Sequence, residues 1–248
     1  MSFKNKLNKF LQPFNIQVHG LGYLQSMAKG DFKKNEFDYF KDIFGNKTLV
    51  IYDVGANRGT TIDRFLEIFP SSKIFAFEPY PPLVQQLQEK YKDHKNIVTD
   101  SCGLSDKIGE LLFYVNKSVD TSSFLASKIT GLNSDAQVKN MEQIIVSVKT
   151  IAQSLKEHKL DHINILKLDI QGSELDALKG AEKLLADKKI DLVYTETYFI
   201  QQYVGQPLFP EIACYLLNLG YALQDFYNPI YGKGKLVWCD TVFVREKL

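Results

Sequence analysis

From residue 48 onward, short apolar runs alternate with longer stretches in which apolar positions recur every three to four residues. Leu49-Val50-Ile51-Tyr52-Asp53-Val54 is a near-continuous apolar run closed by a Gly-rich turn, the pattern of a strand buried on both faces. Residues 59 to 69 carry the helical period and stop before Pro70. Lys73 to Phe77 predicts a second strand, and residues 82 to 92 a second helix entered through Pro81 and Pro82. Asn96 to Thr99 reads as a short third strand. Ile163 to Leu168 is a further buried strand, followed by a helix over about residues 173 to 186. Asp191 to Glu196 is the next strand and residues 208 to 219 the next helix. Tyr221 to Asp225 and Trp238 to Val244 close the chain as a hairpin.

Strands alternating with helices of ten or more residues build βαβ units. The expected fold class is therefore α/β: a mainly parallel central sheet with helices on both faces and an antiparallel C-terminal strand. Residues 103 to 149 break the rhythm. Glu110 to Val115 and Ile144 to Val148 are strand-like and surround a stretch rich in Ser, Thr, Asn and Asp. This predicts an insertion that extends the sheet and carries a loop over the site. Residues 1 to 47 form an N-terminal helical extension ahead of the main domain, 48 to 248. In it Phe3, Leu7, Phe10 and Leu11 fall at helical spacing among Lys4, Lys6 and Lys9. A short amphipathic helix packed on the main domain is the expectation, with a membrane-surface or acceptor-binding element as the alternative.

Composition narrows the classes. Apolar residues make up 45% and charged residues 24%, so a chain of 248 residues can bury a core without staples. Thirty Lys and Arg face twenty-nine Asp and Glu, a net charge of +1, which supplies no overall field for nucleic acid or anionic membrane. No nucleic-acid partner is expected. Cys102, Cys214 and Cys239 are odd in number and far apart, with no CxxC pair, which suits a reducing compartment and a cytoplasmic location. The N-terminus shows no signal-peptide pattern, and no run approaches the roughly 20 apolar residues of a membrane span.

In an open parallel sheet, ligands bind beyond the carboxyl ends of the strands. After the first strand stand Asp53, Gly55, Asn57 and Gly59, with a helix opening at about Gly59 so that its free N–H groups face the same place. The Gly55–Gly59 spacing is Gly-x-x-x-Gly. It is neither the Gly-x-Gly-x-x-Gly of dinucleotide binders nor a P-loop, and no Lys is placed to hold phosphates. A cofactor without a pyrophosphate is favoured. Glu78 ends the second strand, close to the roughly 20-residue offset at which an acid holds ribose hydroxyls.

These segments occur in order with Gly103-Leu104-Ser105-Asp106, Thr121-Ser122-Ser123, Lys167-Leu168-Asp169-Ile170-Gln171-Gly172-Ser173-Glu174 and Leu178-Lys179-Gly180-Ala181. Over roughly residues 48 to 197 the chain resembles the FkbM family of S-adenosylmethionine (SAM)-dependent methyltransferases, class I Rossmann-like enzymes that generally methylate hydroxyls on polyketides, sugars and related metabolites. The resemblance implies that Asp53, Gly55, Asn57 and Gly59 line the methionine portion of SAM and that Glu78 holds the ribose. It implies a small-molecule or glycan acceptor. The family pattern has Glu where Gln171 stands, so a role requiring a carboxylate at 171 does not carry over.

Asp169 and Glu196 end adjacent strands and are the candidate catalytic carboxylates. Asp169 would receive the acceptor's proton or orient its hydroxyl, and it also borders the cofactor. Glu174, in the first turn of a helix, reads equally as an acid complementing the helix dipole. His94 and His162 precede strands, and His158 lies near a helix end on the same side, so all three belong to the opposite end of the sheet. Only His19 could fold over the site. Asp100 and Cys102, after the third strand, are placed beside the adenine. The Asp169–Glu196 pair could hold Mg²⁺, but no Asp-Asn pair follows the fifth strand, and no metal site is assigned. Thr121, Ser122 and Ser123 read as a lid or acceptor loop. Tyr198, Phe199, Tyr203 and Phe209 read as core or acceptor pocket. An NAD- or nucleotide-binding oxidoreductase, or a non-catalytic SAM-binding module, are the competing functions.

Overall fold

The computed structural model describes residues 35–128 and 140–246. The chain divides into two units, Met1–Tyr39 and Phe40–Leu248. Of the first, only residues 35–39 are described. The expectations placed on Phe3 to Leu11 and on His19 lie outside the described residues.

Helix α1 spans Glu36–Phe44, and its Phe40 and Phe44 pack edge-on against Tyr194 and Phe69. The main unit then alternates: β1 Val50–Val54, α2 Thr60–Ile68, β2 Lys73–Phe77, α3 Pro81–Lys90 and β3 Ile97–Asp100. After β4 Gly103–Leu104, β5 Gly109–Asn116 and β6 Asn140–Lys149 come α4 Ile151–Glu157, β7 Ile163–Leu168, α5 Glu174–Lys179 and α6 Glu182–Ala186. The chain closes with β8 Ile190–Tyr198, α7 Phe209–Asn218, β9 Tyr221–Gly232 and β10 Lys235–Arg245.

Seven strands form one sheet in the order β3-β2-β1-β7-β8-β10-β9. The first five run parallel, and β10 enters antiparallel between β8 and β9. This is the expected mixed sheet. Its central strands β1, β7 and β8 are buried on both faces, and they carry Tyr52, Val54, Leu166, Leu168 and Val193 into a core shared with Phe77, Leu178 and Phe243. The strand order reverses at β1, which has β2 on one side and β7 on the other. The crevice above β1 and β7 is the place where such a sheet opens for a ligand.

Two expectations change. The 103–149 segment does not extend the main sheet: β4, β6 and β5 form a separate three-stranded sheet in that order. The alternation along β5 and β6 turns Phe113, Val115 and Val146 to one face, where they bury against Tyr80, Phe124 and Ile144. The pair therefore builds its own small core rather than docking on an existing edge. The helix expected over 173–186 is broken into α5 and α6 at Gly180-Ala181, where Gly180 lies so close to the Ser105 carbonyl that a Cβ there would overlap it. Among the described residues, no helix is long and apolar enough to cross a membrane.

Candidate active site

The turn after β1 is built by backbone contacts that only glycine permits. Gly55 has φ +76°, and its N–H and that of Ala56 both donate to the Phe77 carbonyl, at 3.0 and 3.1 Å. A Cβ on Gly55 would collide with the Asp169 carbonyl. Gly59, at φ +80°, caps α2 and packs directly on the Tyr91 ring. Beneath this turn, Asp53 is fully buried and faces its register partner Lys167 across the β1–β7 pair, with Oδ1 2.8 Å from Nζ. Lys167 also donates to the Gly55 carbonyl at 2.8 Å. Burial pulls its ammonium down, but the Asp53 and Asp169 carboxylates outweigh that and hold it above its ordinary value. The Gly turn thus rests on a buried ion pair.

A cavity of about 370 Å³ opens above the carboxyl ends of β1, β2, β7 and β8. Toward β2 it is lined by Glu78, Tyr80, Leu83, Gly103, Phe113 and Phe124, and toward β8 by Asp169, Gln171, Glu196, Tyr198 and Trp238. Glu78 is buried. Its Oε2 accepts from the Asn57 N–H at 3.0 Å and its Oε1 from the Tyr80 N–H at 2.9 Å. Burial pushes its carboxyl up to about 6, against the pull of those two bonds. A smaller cavity of about 220 Å³ lies at the start of α2, lined by Gly55, Asn57, Thr60, Thr61, Lys167 and Asp169.

At the β8 end, one amide joins two acids. Gln171 Nε2 donates to Asp169 Oδ1 and to Glu196 Oε2, each at 2.9 Å. Glu196 Oε2 also accepts from the Tyr198 hydroxyl at 2.7 Å. The Asp169 side chain is 45% exposed, whereas Glu196 is buried. Burial, then the charges of Asp169 and Glu174, push the Glu196 carboxyl well above the usual carboxylate range. Glu174 lies below and does not line the cavity. Its Oε1 accepts from the N–H groups of Ile170 at 3.0 Å and Gly172 at 3.1 Å, and burial pushes its carboxyl up to about 7.

A 3₁₀ turn, Val119–Thr121, roofs the cavity. Asp120 accepts from Asn57 Nδ2 at 3.0 Å and pairs with Arg58. Ser123 Oγ donates to the Gln171 carbonyl at 2.7 Å, and the Tyr203 hydroxyl to the Thr121 carbonyl at 2.9 Å. Thr121 and Ser122 line the cavity, and Ser123 ties the roof to the β7–α5 turn.

The cavity collects Gly55, Asn57, Glu78, Asp169 and Glu196 of the expected set. Asp53, Gly59, Asp100 and Cys102 do not line it. Asp53 and Gly59 shape the turn from beneath and behind. Asp100 turns to Lys149 and His158, each at 3.0 Å. Cys102 sits in the core, where burial pushes its thiol up to about 11. His158 is not confined to the far end of the sheet. Helix α4 has seven residues, about 10 Å of length, and its terminal imidazole stands on Phe75 and reaches Asp100 at the carboxyl end of β3. His162 pairs with Asp191 at the start of β8, at 2.9 Å. Phe199 and Phe209 stack on each other away from the cavity, whereas Tyr198 lines it. Gln171, Lys167, Asp120, Tyr80 and Trp238 complete the site and were not singled out as ligands by the sequence. Lys167 left a signal, a lone cation inside an apolar strand. Trp238 left none, because it reaches the site only through its pairing with Tyr198. Among the described residues, no three His, Cys, Asp or Glu side chains converge as a metal-binding group.

A parallel sheet reversing at β1, a Gly turn over the switch point and an acid after β2 define a Rossmann-like fold of the class I methyltransferase type. The Methyltransferase FkbM domain matches residues 53–223, and the chain belongs to that family. It is 27% identical over 163 residues to the 2-O-methyltransferase NoeI of Sinorhizobium fredii, covering 63% of this chain and 66% of that protein. It is 28% identical over 155 residues to Methyltransferase 1 of Beauveria bassiana, covering 58% of this chain and 61% of that one. The matched stretches thus span a little under two thirds of these relatives. The structure of a methyltransferase FkbM from Methylobacillus flagellatus KT superposes with a TM-score of 0.51 at 17% identity, covering 79% of this chain and 43% of that one. That likeness shows the shared fold.

Proposed function

We propose that this chain is a SAM-dependent methyltransferase acting on a hydroxyl of a small molecule or glycan. The observation that carries this reading is one continuous cavity joining Gly55 and Glu78 to the Asp169–Glu196 pair. Its β2 end fits an adenosine. Leu83, Phe113 and Phe124 supply an apolar wall, and each Glu78 oxygen, already anchored by one backbone N–H, keeps acceptor capacity for a ribose hydroxyl. Gly55 lets a ligand approach the backbone. The smaller cavity, with Thr60 and Thr61 at the start of α2 and Lys167 at its floor, suits an amino-acid tail. Nothing in this arrangement cradles a pyrophosphate, which disfavours NAD.

When bound, SAM supplies a methyl group already activated by its sulfonium, so the protein's task is mainly positioning. Asp169, half-exposed and bordering both cavities, takes the acceptor's hydroxyl proton. Burial and the neighbouring acids hold the Glu196 carboxyl well above the usual carboxylate range, which disfavours a second negative charge at that end. Tyr198 and Trp238 wall the acceptor, and the Val119–Thr121 roof excludes water. Oxygen rather than nitrogen as the acceptor is supported by the name of the NoeI relative. Transfer of labelled methyl from SAM to paired hydroxyl and amine acceptors is the test. Turnover on hydroxyls, lost in Asp169→Asn with S-adenosylhomocysteine binding retained, is the expected result. Turnover restricted to amines contradicts it.

A further inference from the structure

We propose that Gln171 is a positioning residue that lets two carboxyl groups share the acceptor end of the cavity, by giving one amide N–H to Asp169 and the other to Glu196. The proposal rests on reading that end as the place where the acceptor reacts.

The amide's orientation follows from its partners. Both carboxyl groups stand 2.9 Å from one terminal atom of the side chain. The hydroxyls of Tyr203 and Tyr198 stand 2.7 and 3.1 Å from the other. Ionised carboxylates only accept hydrogen bonds, whereas a phenol has one proton and free lone pairs and suits either end of an amide, so the acids decide the orientation. The nitrogen therefore faces the acids and the oxygen faces the phenols. The reverse orientation would set the amide oxygen against both carboxyl groups.

The side chain is fixed at its root as well. Gln171 has φ +55° and is followed by Gly172 at φ +102°. Glu174 Oε1 holds the N–H groups on either side of it, from Ile170 and Gly172. Its own carbonyl accepts from Ser123 Oγ at 2.7 Å. The turn is thus clamped from below by Glu174 and from above by the roof. Tyr203 touches both Thr121 of the roof and Gln171 of the clamp.

The groups facing the pair come from every neighbouring element. Lys167 of β7 lies 3.9 Å from Asp169 Oδ2. Glu174 of α5, Asp240 of β10 and the phenols of Tyr198 and Tyr203 surround Glu196. Most of these charges are negative. A neutral double donor is the group that satisfies both acids without adding to that charge. Glu at 171, as in the family pattern, would bring a third acid and no pair of donors. Met at 171 would keep the length and offer neither charge nor donor.

The test is a ¹³C-carboxyl NMR titration of the free, folded chain, with the Glu196 resonance assigned by its loss in Glu196→Gln. In Gln171→Met the Glu196 midpoint rises by about one pH unit or more, because its charged form loses a donor. In Gln171→Glu it rises further. Methyl-transfer kcat falls about tenfold or more in Gln171→Met, while the S-adenosylhomocysteine Kd stays near the wild-type value. A shifted midpoint in a chain that transfers no methyl group supports the clamp and removes only the methyltransferase reading. A Met variant that folds with an unchanged Glu196 midpoint overturns the proposal.

Discussion

Gly55 and Asp169 meet backbone to backbone: the Asp169 carbonyl oxygen fills the place where a Cβ on Gly55 would stand. The two turns that build the site are therefore in direct contact, and φ +76° at Gly55 adds a second demand for glycine. Gly55→Ala forces these turns apart. The expected cost is about 3 kcal/mol or more of folding stability, together with loss of cofactor binding. Urea unfolding measures the first and calorimetry the second. A variant of near wild-type stability that still binds would show that the turns are not locked together.

Glu78 can hold a ligand diol by charge-assisted hydrogen bonds only when it is ionised, and its carboxyl is pushed up to about 6. S-adenosylhomocysteine affinity is therefore expected to fall as pH drops from 7 to 5. Glu78→Gln is expected to weaken binding by about 10- to 100-fold and to flatten that pH dependence, the loss of one charge-assisted hydrogen bond. An equally steep fall in the variant would assign the titration to another group.

The buried Asp53–Lys167 pair makes its own forecast. Lys167→Met leaves a buried carboxylate beneath the Gly turn, at an expected cost of about 3–5 kcal/mol. Asp53→Leu alone strands the ammonium at similar cost. The double variant is expected to lose much less than the two costs combined, because neither charge is left alone. A thermal-unfolding cycle reads the coupling, and additive losses would mean the pair contributes nothing jointly.

Stability should also depend on pH in a definite sense. Burial raises the Glu174 carboxyl from 4.5 to about 7. Between those values the folded chain binds more protons than the unfolded one. The contribution is fully present below pH about 4.5 and is lost as pH climbs through about 7. The free chain is expected to be more stable at pH 5 than at pH 8, by at most about 3 kcal/mol from this group. Glu174→Gln should reduce the slope. Stability rising steadily from pH 5 to 8 would contradict this.

How much of this was legible in the sequence follows from what periodicity encodes. Strand ends are visible as apolar runs meeting polar residues, so Gly55, Asn57, Glu78, Asp169 and Glu196 were found at the cavity. Which face a residue takes is harder to read within a continuously apolar strand. Asp53 sits one residue before the end of β1 and turns to Lys167 of the neighbouring strand instead of the cavity. Gly59 serves the fold because Tyr91, thirty-two residues on, packs against it. Asp100 does not line the cavity, because its partners Lys149 and His158 arrive from the far side of the insertion. The strands of that insertion were recognisable, but an alternating pattern does not say which strand will pair with which, and β5–β6 closed on themselves. The role of Gln171 depends on a left-handed turn and four partners from three segments, none of which a linear pattern displays.

The central claim is that the cavity between Glu78 and Asp169 holds the SAM skeleton. Calorimetric titration of the folded chain with S-adenosylhomocysteine, run beside NAD, tests it most directly. The account predicts one site per chain with an affinity near micromolar, roughly −8 kcal/mol, abolished in Glu78→Ala, and no heat with NAD. Saturable binding of NAD with none of S-adenosylhomocysteine would contradict it.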